Sequence, residues 1–298
     1  MTATPLDRAP AGLADGEIYL KREDLHELGS FKWRGASPVL RDYRARGATR
    51  VVTASTGNHG AATAWAAREL GLGAVVFVPE QATEAKLSWI TALGAELHRV
   101  GADFDEAKNA AAVYAEDHGV PLFADGAEPA QFDGYRAIGD EIAGPLEGPG
   151  TVVVPVGNGA LIGGVGEALA GTGWRVVGVV AKDAPVMADS HDAGAVQAAA
   201  SGATIADGLA VRVAIPYAVG RIQTVVDRMV RVSERELALA IGRFAQVGIR
   251  VEASAAAALA ALDHLTPTAG PVVLVVTGRN IDDELFARAC DSPDSFPV

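Results

Sequence analysis

Lys32 lies where a helix is predicted to begin, and a lysine amine can do covalent chemistry. Residues 17–21, Glu-Ile-Tyr-Leu-Lys, are typical of a short β-strand. Gly29 and Ser30 break this pattern, and residues 31–36 predict the start of a helix capped by Ser30. The helix dipole is positive at this end and disfavours a cation. A neutral amine, or a lysine converted to an imine, suits the position, and a solvated surface lysine is the alternative.

Residues 54–60, Ala-Ser-Thr-Gly-Asn-His-Gly, form a second candidate site between a predicted strand and a predicted helix. Backbone N–H groups at a helix N-terminus bind anions, and the hydroxyls of Ser55 and Thr56 add donors. A substrate carboxylate fits such a loop. The alternative is a capped helix with a glycine turn.

A third loop, residues 155–164, is rich in glycine and again joins a predicted strand to a predicted helix. Small residues let backbone amides approach a phosphate closely, and the helix dipole adds to the attraction. The rival interpretation is the dinucleotide fingerprint Gly-x-Gly-x-x-Gly. Gly157 and Gly159 match it, but Ile162 stands where the third glycine is needed. A role in packing alone remains the alternative.

The elements that position these loops are short valine-rich runs alternating with helical stretches. Such runs are typical of parallel strands buried on both faces, with helices as crossovers, so the predicted architecture is α/β. Ligands in such sheets bind beyond the carboxyl ends of the strands. The predicted strands are 17–21, 50–54, 73–79, 96–100, 151–156, 174–181 and 271–277, and the predicted helices are 58–70, 83–93, 104–118, 161–170, 184–200 and 282–289.

Composition excludes several classes of protein. The chain has 298 residues and a formal net charge of −12, so nonspecific nucleic-acid binding is not expected. The single cysteine, Cys290, excludes an intramolecular disulfide and a cysteine-rich zinc site. No run reaches the length of a membrane span, and the first residues lack the pattern of a signal peptide. We therefore expect a cytoplasmic protein that does not bind a membrane.

The segments 20–25, Leu-Lys-Arg-Glu-Asp-Leu, and 29–36, Gly-Ser-Phe-Lys-Trp-Arg-Gly-Ala, resemble the start of pyridoxal-phosphate (PLP) enzymes of the β-family. These are the fold type II, tryptophan synthase β-like enzymes, and the likeness is greatest to serine/threonine dehydratases and serine racemases. In that family the lysine of this motif forms the Schiff base with pyridoxal 5'-phosphate. The role falls on Lys32, which would also remove the α-proton of the substrate.

The resemblance implies a two-domain α/β fold with mostly parallel twisted sheets flanked by helices. It implies a large cofactor-binding domain of residues 1–49 and 128–298. A small domain of residues 50–127 would be inserted into it, with the cofactor between the two. The sequence agrees to the extent that residues 50–127 hold three consecutive strand–helix units.

The loop at 54–60 resembles the family's Ser-Ser/Ala-Gly-Asn-His-Gly/Ala loop, which binds the substrate α-carboxylate and contacts the ring oxygen of the cofactor through its asparagine. These roles carry over to Ser55, Thr56, Gly57, Asn58 and His59. In serine racemases the residue that matches Thr56 is a serine used as a second acid/base. A threonine hydroxyl can do similar chemistry, but its methyl group crowds the site, so racemisation is not favoured.

The loop at 155–164 resembles the family's tetraglycine phosphate cup. The phosphate role falls on Gly157, Asn158, Gly159, Ala160 and Leu161. Asn158 replaces a glycine, so it needs a strained backbone or contributes its side chain.

A hydroxyl residue at the end of the family's last strand faces the pyridine nitrogen, and Thr277 takes this place. A neutral hydroxyl does not hold the ring protonated, which favours prompt loss of a β-substituent. Arg279 stands where dehydratases commonly have glycine, and its role stays open. Glu252 matches a glutamate near the cofactor ring. Asp207 lacks a second acidic ligand, so we predict no metal site.

The predicted function is therefore PLP-dependent β-elimination from a serine- or threonine-like β-hydroxy amino acid to a 2-oxo acid and ammonia. The alternatives are β-replacement of the cysteine-synthase or threonine-synthase kind, an amino-acid racemase, and a protein that binds a cofactor or nucleotide without chemistry. The resemblance also implies a homodimer. The side chain of the substrate stays undetermined, because one methylene changes discrimination by only about 1–3 kcal/mol.

Overall fold

A computed structural model describes residues 2–146, 148–199, 202–266 and 270–298. In these ranges the strands are β1 (Leu6–Arg8), β2 (Ile18–Arg22), β3 (Arg50–Ala54), β4 (Gly73–Val78), β5 (Glu96–Arg99), β6 (Thr151–Pro155), β7 (Arg175–Ala181), β8 (Arg228–Val232) and β9 (Val272–Val276). The α-helices are α1 (Lys32–Ala45), α2 (Asn58–Leu70), α3 (Glu84–Ala92), α4 (Phe104–His118), α5 (Pro129–Ala143), α6 (Ala160–Leu169), α7 (Val186–Ala193), α8 (Pro216–Val225), α9 (Glu234–Gln246), α10 (Ala253–Ala260) and α11 (Asp283–Asp291). Short 3-10 helices lie at Glu23–Leu25, Asp207–Leu209, Ala261–His264 and Pro293–Ser295.

The chain divides into two compact units. The larger unit comprises Met1–Phe31 and Tyr135–Val298, and the smaller unit is Lys32–Gly134. The smaller unit includes α1, which packs on α2. The domain boundaries predicted from the sequence, after residues 49 and 127, stay a prediction.

The larger unit contains a six-stranded sheet in the order β1-β2-β9-β6-β7-β8. Only the pair β1–β2 is antiparallel among these strands. Every residue of β6 is buried, as is all of β7 except its first residue, because helices cover both faces of these valine-rich strands. The predicted α/β architecture with mostly parallel strands is confirmed.

Helix α10 supplies the part of this core that lies beside the last strand. Its sequence, Ala-Ser-Ala-Ala-Ala-Ala-Leu-Ala, is buried along its whole length, and it packs against β6 and β9. Alanine side chains allow a helix to approach a sheet closely on all sides. The close packing fixes Glu252, the residue that precedes this helix, beside the end of β9.

The smaller unit contains a parallel sheet in the order β3-β4-β5. Its core includes Val52, Val75 and Phe77 from the strands and Ala111 and Ala115 from α4. Leu122 forms a further parallel bridge to Val52, so the segment after α4 runs along the free edge of β3. This pairing brings the following residues to the carboxyl end of the small sheet.

One predicted helix is shorter than expected. Residues 184–200 were predicted to be helical, but α7 ends at Ala193 because Gly194 adopts a left-handed conformation with φ of 64°. The predicted end, residue 200, lies outside the described residues. Within the described ranges, no helix is long and apolar enough to cross a membrane.

Candidate active site

Lys32 is the first residue of α1 and so lies in the first turn, as predicted, but the Ser30 hydroxyl does not cap the helix. The hydroxyl of Ser30 is buried and has no hydrogen-bond partner among the described residues. The Lys32 side chain is only 16% exposed, and its Nζ atom lies 2.5 Å from Oδ2 of Asp125. This carboxylate offsets the unfavourable placement of a cation at the positive end of a helix. Lys32 is therefore not a solvated surface lysine.

A close backbone contact fixes the first turns of α1. Pro38 lies inside the helix and has no N–H group to donate to the carbonyl of Arg34. Gly134 packs on that carbonyl, and a Cβ atom at Gly134 would lie 2.1 Å from the Arg34 oxygen. Only glycine permits this approach, which holds the start of the helix in place.

Asp125 lies at the centre of a small polar cluster. Its Oδ1 atom accepts a hydrogen bond of 2.7 Å from Nε2 of Gln131, and Oε1 of Gln131 accepts one of 2.7 Å from the N–H of Gly126. Burial acts to raise the pKa of Asp125, but the charge of Lys32 and the side-chain hydrogen bonds from Lys32 and Gln131 outweigh it. They hold the pKa of this carboxyl well below its usual range. Asp125 is therefore an anion that faces Lys32.

Asp125 was not predicted from the sequence as a site residue. A signal was present, because Asp125 follows the short apolar run Val-Pro-Leu-Phe at residues 120–123. Phe123 donates its N–H to the carbonyl of Val52, which extends the small sheet along β3. The loop at 54–60 leaves that sheet at the same end. Reading residues 120–123 as an edge segment beside β3 would have brought Asp125 to this loop.

His59 lies in the first turn of α2 and completes the cluster. Its Nε2 atom lies 3.2 Å from the carbonyl oxygen of Phe123, which can only accept, so we assign the proton to Nε2. Its Nδ1 atom lies 3.6 Å from Oδ1 of Asp125. Burial lowers the pKa of His59, and the opposing attraction of Asp125 is weaker. His59 is thus held neutral.

The other residues of this loop form the turn that leads into α2. Gly57 is the cap residue and supplies no side chain, and its N–H donates to Oγ of Ser55 at 3.1 Å. Asn58 is the first helical residue, and Ser55, Thr56 and Asn58 are partly exposed. The predicted substrate role of these residues and of Gly57 and His59 stays a prediction.

The glycine-rich loop of the larger unit leads into α6. Gly159 caps this helix with φ of 89°, a conformation that favours glycine. No residue other than glycine has positive φ in the described part of the chain, so the strained backbone considered for Asn158 is wrong. Instead, Oδ1 of Asn158 accepts a 3.0 Å hydrogen bond from the N–H of Ala160. Leu161, in the first turn, is buried. The phosphate role of this loop stays a prediction.

Thr277 follows β9 directly and carries a buried hydroxyl. Its side chain is 2% exposed, and Oγ1 has no hydrogen-bond partner among the residues that the structure describes. Its backbone is fixed, because the N–H of Phe31 donates to the Thr277 carbonyl at 3.0 Å. The next residue, Gly278, accepts from the N–H of Glu252 at 3.0 Å. A buried hydroxyl without a partner fits an acceptor such as a ring nitrogen.

Arg279 makes a structural contact, and Asp207 lies at the surface. The guanidinium of Arg279 donates to the carbonyl of Asp24, which ties the end of β9 to the 3-10 helix at Glu23–Leu25. Asp207 is exposed at the start of its own 3-10 helix. Across the described ranges, no group of three His, Cys, Asp or Glu side chains could hold a metal ion.

The residues of both units fit the chemistry of pyridoxal phosphate, which has an aldehyde, a ring nitrogen and a phosphate. The smaller unit offers the Lys32 amine. The larger unit offers the unpartnered hydroxyl of Thr277 and the turn into α6, where Gly157 and Gly159 carry no side chains. Backbone in such a loop can approach a phosphate without side chains in the way.

An α/β chain with this set of groups has the fold of type II pyridoxal-phosphate enzymes. Residues 1–278 match the sequence model of the family described as pyridoxal-phosphate dependent enzyme, and the chain belongs to this family. The resemblance found in the sequence is thereby confirmed, and so is the predicted cofactor.

Three relatives illustrate the similarity. The L-threonine ammonia-lyase of Thermotoga maritima is 35% identical over 295 residues, which cover 96% of this chain and 73% of that protein. The processed form of threonine deaminase isoform 2 from Solanum lycopersicum superimposes with a TM-score of 0.92 at 29% identity, covering 97% of this chain and 87% of that one. Maize serine racemase superimposes with a TM-score of 0.86, covering 97% and 91%, but at 24% identity this shows the fold alone.

Proposed function

We propose that this chain is a PLP-dependent ammonia-lyase that acts on a serine- or threonine-like β-hydroxy amino acid. The observation that carries the proposal is the placement of the Lys32 amine at the start of α1, in one cluster with Asp125 and His59. His59 belongs to the loop that the sequence assigns to the substrate. The similarity to threonine ammonia-lyases supports the choice of substrate class.

Lys32 and the cofactor have separate roles in the proposed reaction. Lys32 supplies the amine that binds the cofactor and, once released, takes the proton from Cα of the substrate. When bound, PLP supplies an electron-withdrawing ring that stabilises negative charge at this carbon. The β-hydroxyl leaves as water, and the resulting enamine hydrolyses to a 2-oxo acid and ammonia.

The remaining contacts come from three loops. The turn at residues 55–59 binds the substrate carboxylate through its amides and hydroxyls, and Asn58 contacts the ring oxygen of the cofactor. The residues Gly157 to Leu161 hold the phosphate. Thr277 donates its hydroxyl to the ring nitrogen, and as a neutral group it favours elimination. A second acid/base role for Thr56 stays a prediction, as do the homodimer and the cytoplasmic location.

The first experiment is the visible absorption spectrum of the purified protein with added PLP, for the wild type and Lys32→Ala. We expect the wild type to acquire the band of a lysine-bound cofactor, and borohydride reduction to fix the label on the peptide that contains Lys32. Lys108→Ala is the control, because Lys108 is an exposed lysine on α4 of the same unit. A wild type that takes up no PLP would overturn the proposal.

The second experiment assays ammonia and 2-oxo acid during incubation with L-threonine or L-serine. Release of both products at equal rates supports the lyase. Turnover only in the presence of an added thiol or other nucleophile would instead indicate β-replacement. Inversion at Cα without ammonia release would indicate a racemase.

A further inference from the structure

Neighbouring groups fix the geometry of the ion pair between Lys32 and Asp125. One carboxylate oxygen faces Nζ of Lys32 at 2.5 Å, and the other accepts from Gln131 at 2.7 Å. Gln131 is fully buried and is bonded in turn to the backbone of Gly126. The carboxylate is therefore oriented by α5 and its own loop, and not by the lysine alone. An ion pair that forms only by chance on a surface lacks such support.

Few titratable groups in the described part of the chain face Asp125. The titratable groups that face Asp125 among the described residues are Lys32 from α1 and His59 from α2, and Gln131 from α5 is neutral. Burial keeps His59 uncharged, so the carboxylate balances Lys32 and the positive end of α1. The anion has no other cation in this cluster.

We propose that Asp125 is a positioning residue for Lys32, whose carboxylate holds the protonated amine in the place where that amine exchanges its proton with substrate. The proposal rests on the proposed function, in which the C–H bond at Cα breaks, its electron pair stays with the substrate, and the proton converts the amine of Lys32 to an ammonium. That cation arises at a helix N-terminus, where it is disfavoured. A carboxylate at 2.5 Å stabilises it there.

The test measures the reactivity of the Lys32 amine in the full chain freed of cofactor by dialysis against hydroxylamine. Trace acetylation with isotope-labelled acetic anhydride, followed by peptide mass spectrometry, gives the rate at Lys32 in the wild type and in Asp125→Asn. The ion pair with the carboxylate withholds the Lys32 amine from the reagent, so loss of the carboxylate should speed labelling by about tenfold.

Matched variants separate this role from a structural one. Asp42→Asn removes the same charge from the Asp42–Arg46 pair on the surface of α1 and should leave Lys32 labelling unchanged. Asp125→Glu keeps the charge and should restore slow labelling. If Asp125→Asn does not fold, Asp125→Ser serves as the second variant, because it also removes the charge and keeps a polar side chain. Equal labelling rates at Lys32 in the wild type and in Asp125→Asn, or faster labelling that Asp125→Glu does not reverse, would overturn the proposal.

Failure of this proposal can be distinguished from failure of the proposed function. Failure of the stripped wild type to take up PLP again would remove the lyase proposal, while the labelling ratio would still decide whether Asp125 holds the lysine. In the loaded enzyme, Asp125→Asn should lower kcat more than it changes KM. An equal loss in Asp42→Asn would contradict a specific role.

Discussion

Gly157 packs directly on the backbone of Gly208, and a Cβ atom at Gly157 would lie 2.2 Å from the Gly208 carbonyl oxygen. The N–H of Gly208 donates to Oγ of Ser254 in α10 at 3.1 Å. The loop proposed to hold the phosphate, the segment around residue 208 and the helix beside β9 are therefore linked within the larger unit. This contact requires a glycine at position 157, whereas at position 208 a Cβ atom would lie 2.7 Å from Oγ of Ser254.

Gly157→Ala should force these two backbone segments apart. We expect the free energy of unfolding to fall by about 1–3 kcal/mol, as is usual for overpacking, and the affinity for PLP to fall with it. Urea unfolding and a spectroscopic PLP titration measure the two effects. Gly220→Ala in α8 is the control, because a Cβ there has no atom within 4 Å. That variant should be neutral or stabilised by up to about 1 kcal/mol.

Thr277→Val should have opposite effects on stability and on cofactor binding. The buried hydroxyl has no partner in the cofactor-free chain, so its removal should leave the free energy of unfolding unchanged or raise it by about 1 kcal/mol. Loss of a hydrogen bond to the ring nitrogen should weaken PLP binding by about three- to tenfold. Thr277→Ser should restore binding. A destabilised variant with unchanged PLP affinity would contradict the role assigned to Thr277.

Thr53→Val is the control for the effect of Thr277→Val on stability. Thr53 is also buried, but its hydroxyl donates to the carbonyl of Phe123 at 2.8 Å. Its removal leaves that carbonyl without this donor, so stability should fall by about 1 kcal/mol. The two threonines differ chiefly in whether the hydroxyl is satisfied by protein.

Lys21→Met should be strongly destabilising. The Lys21 amine is fully buried and donates to the carbonyl and hydroxyl of Thr4 and to Glu141 at 2.5–2.6 Å, with Glu23 at 3.7 Å. Its loss removes the cation that lies beside the carboxylates of Glu141 and Glu23, and breaking such a buried pair typically costs about 3–5 kcal/mol. Lys182→Met, at an exposed lysine, should change the free energy of unfolding by less than about 0.5 kcal/mol. Urea denaturation of both variants provides the comparison.

His59 should make the protein less stable at mildly acidic pH. Burial lowers its pKa from the ordinary value of 6.5, so the unfolded chain binds a proton that the folded chain does not. The free energy of unfolding must therefore fall as the pH drops below about 6.5 towards the folded pKa. In His59→Gln this part of the decline below about pH 6.5 should be absent. His118→Gln, at an exposed histidine on α4, should decline like the wild type.

Strand positions could be predicted because their sequences admit few alternatives. Residues 50–54 and 151–156 combine β-branched residues with flanking breaks, and they match β3 and β6 closely. The helix at 104–118 was predicted with the bounds that α4 has. The helices between residues 216 and 260 were not predicted, although Ser233 and Glu236 form a capping box at the start of α9.

The site could be predicted only as far as its loops. The family resemblance implies that Lys32, Asn58 and Thr277 contact the cofactor, and these roles stay predictions. The sequence could not show that Asp125 meets Lys32, because the two residues are brought together by the pairing of Leu122 with Val52. Nor could it show that Asn158 bonds the amide of Ala160, because that depends on the rotamer of one side chain.

The pairing of β2 with β9 has a consequence for synthesis on the ribosome. Ile18 pairs with Val272, so the second strand to emerge finds its parallel neighbour only when the last strand has been made. The contiguous smaller unit, Lys32–Gly134, is complete much earlier. During translation the nascent chain must therefore keep β2 without its neighbour β9 while the smaller unit, which lies between these two strands in the chain, folds. The closing of the large sheet is a late, non-local step.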